Sequence, residues 1–348
     1  MCWPLGRSLA FILFVLTLSS LVVSSVRAER PLQDDGPGQA LSLSVDERIR
    51  ALIPQADDRC LIAGSEPALT ATQIGIEDVL EQLRLSALGD WLVRQAELRG
   101  ITLCIDSATD LEAHYRSHLG LIGLNAKLGK AGQVVFLAHE LAHVPQHPRF
   151  SNNRRFSPED MIVLHRTREA TAEAVATRVL WQLREQGIEE PWQAKLQTAY
   201  GDITEIFEKV MGDSHDPSRE LWATRSAFRQ WFEADWRPEI YDDLMLKTLA
   251  KIAVDRIGLL PPSRSLSDEF LGDIAWYAGQ SFLIKGDGRA LIEHFRETSL
   301  SSGNQGRLDR IFARSATVRL DRTSRPSPIE GDGLSASSSG PILRKTVD

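Results

Sequence analysis

Basic charge, cysteine and long apolar runs are all scarce in this sequence. Lys and Arg number 40 against 47 Asp and Glu, a formal net charge of −7. That balance gives no general positive field, which removes nucleic acid as an expected partner. There are three cysteines. Cys2 falls in an N-terminal targeting segment, so Cys60 and Cys104 are left as the one possible bridge. No cysteine follows the N-terminal apolar run in the lipoprotein manner. The run itself, Leu9 to Val23, is broken by Ser and Thr. It is shorter than the ~20 residues a comfortable membrane span needs.

What is present reads as an exported protein. Arg7 precedes the apolar run, and Val26-Arg27-Ala28 fits a cleavage site, so residues 1–28 read as a signal peptide, or as an uncleaved N-terminal anchor. Either way the expected location is periplasmic or secreted, with a membrane partner only if the segment stays. In such a compartment Cys60 and Cys104 can form a disulfide; the alternative is two separate buried thiols. Residues 29–43 are polar and broken by Pro and Gly, as a linker is. A capping box, Ser44-x-x-Glu47, opens the folded part. With 348 residues and 43% hydrophobic content the chain can bury a substantial core of one to three domains.

The pattern from Ile76 to Leu98 is helical, with a break near Gly89 and a stop at Gly100. Ile101 to Ile105 reads as a buried strand, and Leu121 to Asn125 as another. The second is either a sheet edge open to an extended peptide or an internal strand with a glycine bulge. Next comes an apolar helix containing Val134-Val135-Phe136-Leu137-Ala138-His139-Glu140-Leu141-Ala142-His143. Here the spacing H-E-x-x-H puts His139 and His143 on one helical face, where both imidazoles can grip one ion. Glu140 lies about 100° round the helix, placed to take a proton from a water beside the metal. Pro145 predicts that this helix stops near Val144. His147, four residues after His143, would then lose the helical register a ligand needs. Arg149 stands where a metzincin would have its third histidine.

A further ligand is expected from the next helix. Ser157 is its N-cap, Pro158 its first residue, Glu159 and Asp160 its acidic first turn, and Gly187 its stop. In its middle, Glu169 and Glu173 project from one face among alanines, which let two helices approach closely. Helix propensity alone would also account for two solvated glutamates. The two motifs together resemble the gluzincin group of zinc metallopeptidases, and are similar to bacterial domains described only as metallopeptidase-like. The resemblance covers roughly residues 100–180. It implies Glu169 as the third zinc ligand and Glu173 as the partner of a ligating histidine, with Glu standing where that group often has Asp.

Beyond Gly187 the chain reads as helical. Trp222, Phe228, Trp231 and Phe232 have core spacing. His215, Tyr200 and Tyr241 are the candidates for oxyanion stabilisation. His114, His118, His165 and His294 have no motif around them and read as structural. Residues 265–295 hold one or two helices, capped at Ser265 or Ser267. From residue 301 the composition shifts to Ser, Arg, Gly and Pro, which predicts a disordered tail to residue 348. The expectation is an α+β, mainly helical, zincin-like domain over residues 44–300. It would bind one zinc and hydrolyse a peptide or protein substrate, with Glu140 as base. The competing expectation is a zinc-site scaffold or partner-binding domain without turnover. Oligomeric state is left open.

Overall fold

A computed structural model describes residues 58–65, 68–107, 111–150, 156–254, 264–298 and 300–323. The signal, linker and Ser44 readings lie outside the described residues. Among the described residues the architecture is mainly helical, with one small four-stranded mixed sheet and a two-stranded hairpin. The order is β1 (Cys60–Ile62), α1 (Ala71–Arg84), α2 (Ala87–Leu98), β2 (Thr102–Asp106), β3 (Ala113–Arg116), β4 (Leu121–Asn125), α3 (Lys130–Phe150) and α4 (Pro158–Glu185). There follow α5 (Glu190–Leu196), α6 (Gly201–Met211), α7 (Pro217–Gln230), α8 (Trp236–Val254), α9 (Asp268–Ile274), the hairpin β5 (Trp276–Tyr277) and β6 (Gln280–Ser281), α10 (Asp287–Thr298) and α11 (Ser302–Thr323). Among the described residues no helix is long and apolar enough to cross a membrane.

The sheet runs β1-β2-β4-β3, with β2 and β4 parallel and both outer pairs antiparallel. So β4 is internal and β3 is the edge, a correction to the reading of residues 121–125 as the edge strand. Its ladder to β2 is continuous from Thr102↔Leu121 to Asp106↔Asn125, without a bulge. Gly123 has a packing reason instead. It pairs with His114, and a Cβ there would sit 2.4 Å from that ring's Cε1. At the other side, Cys60 and Cys104 are register partners and form a disulfide. The flanking bonds Ala63 N–H to Ile101 O and Ile105 N–H to Arg59 O make 60↔104 a non-hydrogen-bonded pair, where backbones approach most closely.

The helical break comes at Leu85–Ser86, three residues before Gly89. Ser86 caps α2 by accepting from the Gly89 N–H at 2.8 Å. A side chain at 89 would meet the Leu83 carbonyl at 2.2 Å, so glycine is required by the tight corner rather than by a break. The middle of helix α3 is buried all round: Val134, Leu137, Ala138, Leu141, Ala142 and Val144 are each fully covered. It continues through Pro145 to Phe150, against the expected stop near Val144. Proline removes the amide donor to the Leu141 carbonyl, and burial along the middle of α3 outweighs that loss. The next carbonyl, that of Ala142, accepts from the Tyr277 hydroxyl at 2.8 Å.

Helix α4 is the long shared element. Ser157 Oγ accepts from the Asp160 N–H at 3.0 Å, with Pro158 in the first turn and Gly187 at φ +82° beyond the end. Met161 to Leu164 belong to one apolar core, with α8, α9 and α11. Ala170 to Leu183 belong to a larger one, with α1 to α3, the sheet and α5 to α7. Phe228 and Trp231 are buried there, whereas Trp222 is 54% exposed with Arg225 over its ring. The expected disordered tail from residue 301 is corrected over 302–323, which is helix α11. Leu308 and Ile311 are three apart and buried in the smaller core, an apolar stripe that the polar average composition hides.

Candidate metal centre

His139 and His143 lie one turn apart on α3, and Glu169 reaches across from α4. His139 Nε2 and His143 Nε2 are 3.2 Å apart, and Glu169 Oε2 is 3.5 Å from each. Donors on an ion at ~2.0–2.2 Å in tetrahedral geometry are about 3.3 Å from one another, so this triangle fits one small cation. The three residues form the described group that could hold a metal ion. Two imidazole lone pairs facing each other at this distance repel unless a proton or cation lies between them. The charges point the same way. Burial works against a positive His139, yet the Glu173, Glu169 and Glu140 carboxylates outweigh it and push its pKa up to about 10. For Glu169, burial is likewise overcome, by the two histidines, and its carboxyl stays well below the usual range. Glu140 goes the other way. Burial raises it, opposed by the two histidines and reinforced by Glu169 and Glu173. Its carboxylate therefore belongs to the same buried charge cluster.

Each histidine has a partner behind it. His139 Nδ1 is 3.1 Å from Glu173 Oε1, although the ring N–H is not aligned on that oxygen. The other Glu173 oxygen accepts from the buried Lys195 Nζ. Burial raises the Glu173 carboxyl, but Lys195 and His139 prevail and hold it at about 2. His143 Nδ1 is 2.9 Å from Gln146 Oε1, and Gln146 Nε2 donates to the Tyr277 hydroxyl at 2.9 Å.

The family described as "Putative metallopeptidase family (DUF6782)" matches residues 54–281, well over half of the chain. The chain belongs to this family. No curated protein matches the chain, and no solved structure does. The span matched by the metallopeptidase family opens just before β1 and ends with β6. It contains His139, His143 and Glu169, the neighbouring Glu140, and the hairpin that delivers Tyr277. Membership implies a metal ion and a peptide or protein substrate.

Other residues fall inside or outside this candidate site. His165, read as structural, lies one turn before Glu169, with Nδ1 3.8 Å from Glu169 Oε1. Burial depresses its pKa to about 4, so the ring is neutral. The Tyr200 and Tyr241 hydroxyls are 3.0 Å apart, and His165 packs edge-on against Tyr241. Burial pushes both phenols up, with the Glu169 and Glu173 charges adding to it, so each stays protonated. His215 is exposed and pairs with Glu185 at 2.9 Å. Glu185 is sixteen residues along α4 from Glu169, about 24 Å at 1.5 Å per residue, so His215 is remote from the metal-facing group. The His147 side chain lies outside those described. Gln146, Lys195 and Tyr277 were not expected at the site. Gln146 is three residues after His143, a helical neighbour by spacing. Lys195 and Tyr277 reach it only through tertiary folding.

Proposed function

We propose that this chain is an exported zinc-dependent peptidase of gluzincin type with a zincin-like fold. His139, His143 and Glu169 are its zinc ligands and Glu140 its general base. The observation that carries the reading is the buried triangle of two imidazole nitrogens and one carboxylate oxygen, 3.2 to 3.5 Å on a side, with Glu140 in its field. Two histidines and a glutamate are a donor set suited to catalytic zinc, because three protein ligands leave a fourth position open. When bound there, zinc polarises a peptide carbonyl and makes water more acidic near neutral pH. Glu140, buried beside both histidines, would take the proton from the attacking water and pass it to the leaving amine. Glu173 and Lys195 hold the His139 ring from behind.

Export rests on the N-terminal segment and on the Cys60–Cys104 bridge, which an oxidising compartment favours. A zinc site that only supported the fold would need its ligands but no carboxylate at 140. The test is metal analysis and casein hydrolysis on protein lacking residues 1–28. About one zinc per chain is expected. It should be lost in His139→Ala and His143→Ala and kept in Glu140→Gln, which should show almost no hydrolysis. Wild-type turnover by Glu140→Gln would exclude the proposed base.

A further inference from the structure

Behind His143 lies a hydrogen-bond relay that no ligand motif accounts for. Gln146 Oε1 is 2.9 Å from His143 Nδ1, and the Arg168 Nε–H also points at it, at 3.4 Å. Gln146 Nε2 donates to the Tyr277 hydroxyl at 2.9 Å and to the Arg168 carbonyl at 3.3 Å. Tyr277 in turn donates its proton to the Ala142 carbonyl at 2.8 Å. These five contacts agree on one arrangement. The Ala142 carbonyl can only accept, so the Tyr277 proton points to it. The phenol oxygen is then left to accept from the carboxamide nitrogen. That choice turns the carboxamide oxygen toward His143, and an oxygen there requires Nδ1 to carry the proton. The Nε2 lone pair is thereby left facing the metal position. The arginine cation beside Oε1 fixes the same orientation.

The fold supplies this relay from three elements. Gln146 follows His143 by less than a turn, because α3 continues past Pro145. Arg168 comes from α4, next to Glu169. Tyr277 comes from the β5–β6 hairpin, whose two-residue turn has both central residues at positive φ, Ala278 at +48° and Gly279 at +85°. Such a turn suits the twist of a two-stranded hairpin, but a non-glycine residue at positive φ is uncommon. Tyr277 is only 2% exposed, and its ring packs edge-on against Trp91 from α2. Neither Gln146 nor Tyr277 is one of the three metal-facing donors.

We infer that Gln146 and Tyr277 are positioning residues: the hairpin tyrosine sets the carboxamide orientation of Gln146, which fixes His143 as the Nδ1–H tautomer with Nε2 free for the metal. This rests on the zinc site proposed above. Hydrogen-bond partners behind a ligating histidine typically change metal affinity or activity by about 10–100-fold.

The test uses Gln146→Leu, Gln146→Glu and Tyr277→Phe, with thermal unfolding as the check that each folds. Zinc affinity is read by competition with a chelator, and the tautomer by long-range proton–nitrogen correlation of His143 in metal-free protein. Gln146→Leu should bind zinc about 10–100-fold more weakly, with the Nδ1–H tautomer no longer dominant. Tyr277→Phe keeps the ring but removes both hydroxyl bonds, and should weaken zinc binding at the lower end of that range, about 10-fold. Gln146→Glu restores an acceptor for Nδ1–H and should recover most of the affinity that Gln146→Leu loses. Folded Leu and Phe variants with wild-type affinity and an unchanged tautomer would overturn the inference. So would a wild-type His143 protonated at Nε2 in the metal-free protein. Failure of the wild type to bind zinc at all would instead overturn the proposed function, and the tautomer measurement would still decide the relay.

Discussion

A glutamate is one methylene longer than an aspartate, and at position 173 both carboxylate oxygens are used. One lies 3.1 Å from His139 Nδ1 and the other accepts from Lys195 Nζ. Glu169, one turn earlier, presents its oxygen to both histidines. The two acids should therefore respond differently to the same change. Glu169→Gln removes a proposed ligand and should abolish tight zinc binding. Glu173→Gln should weaken it by about 10–100-fold, since only the support of a ligand is lost. Lys195→Met should also weaken it, toward the lower end of that range at about 10-fold, because the cation that keeps Glu173 ionised in a buried site is gone. Chelator competition on the three variants checks this, and a Glu169→Gln protein with tight zinc binding would reverse the assignment. These residues also show what the chain discloses by itself. Spacing alone pairs His139 with His143 and Glu169 with Glu173 on their helices, and the resemblance to gluzincins is what joins the two pairs. Lys195 sits 22 residues after Glu173, on a helix with no motif of its own. Only the packing of α5 against α3 and α4 brings it there.

At the scale of elements, the sheet and α3 are where local rules and the folded protein part. Pro145 is a sound local stop signal, yet α3 runs on to Phe150, with Val134, Val135 and Leu137 to Gln146 buried against their neighbours. Strand β4 reads as edge or interior from its own residues; only its partners on both sides, β2 and β3, decide for the interior. The disulfide was readable from cysteine count and compartment, and its register partner was not. It closes a loop of sequence separation 44 between β1 and β2, on the side of the sheet away from the β3 edge. On the chain-entropy model, closure of such a loop contributes about 4 kcal/mol. The double variant Cys60→Ala/Cys104→Ala should lose about that much in urea unfolding. It should still bind zinc with near wild-type affinity, since neither cysteine touches the histidines or their partners. A matching loss of zinc affinity would mean that β1 sets the position of α3.

Among the described residues two apolar cores are strung on α4, with His139, His143 and Glu169 close to where one gives way to the other. Buried ion pairs help hold these layers together. Arg166 on α4 makes a two-pronged contact with Asp242 on α8, and Arg225 on α7 makes another with Asp287 at the start of α10. Asp287 also accepts from Arg229 at 2.9 Å and from the Ile284 N–H at 2.9 Å. Burial tends to raise its carboxyl, but these donors, Arg225 foremost, hold it below the usual carboxylate range. A depressed folded-state value means that the unfolded chain binds the proton more readily. The stabilisation is therefore complete above the ordinary Asp value of about 3.9 and is lost as pH falls through the lower folded-state value. Asp287→Asn removes the charge while keeping one acceptor, and leaves Arg225 buried without its counter-charge. At pH 7 this should cost roughly 3 kcal/mol, the lower end for a broken buried pair. The gap between wild type and variant should shrink as pH is lowered through about 4 and below, because the wild-type carboxyl becomes protonated too. Urea unfolding of both proteins, metal-free so that loss of zinc in acid does not enter, measures the gap at each pH. A gap of the same size at neutral pH and well below the folded-state value would assign the effect to packing at the α7–α10 contact instead of to charge.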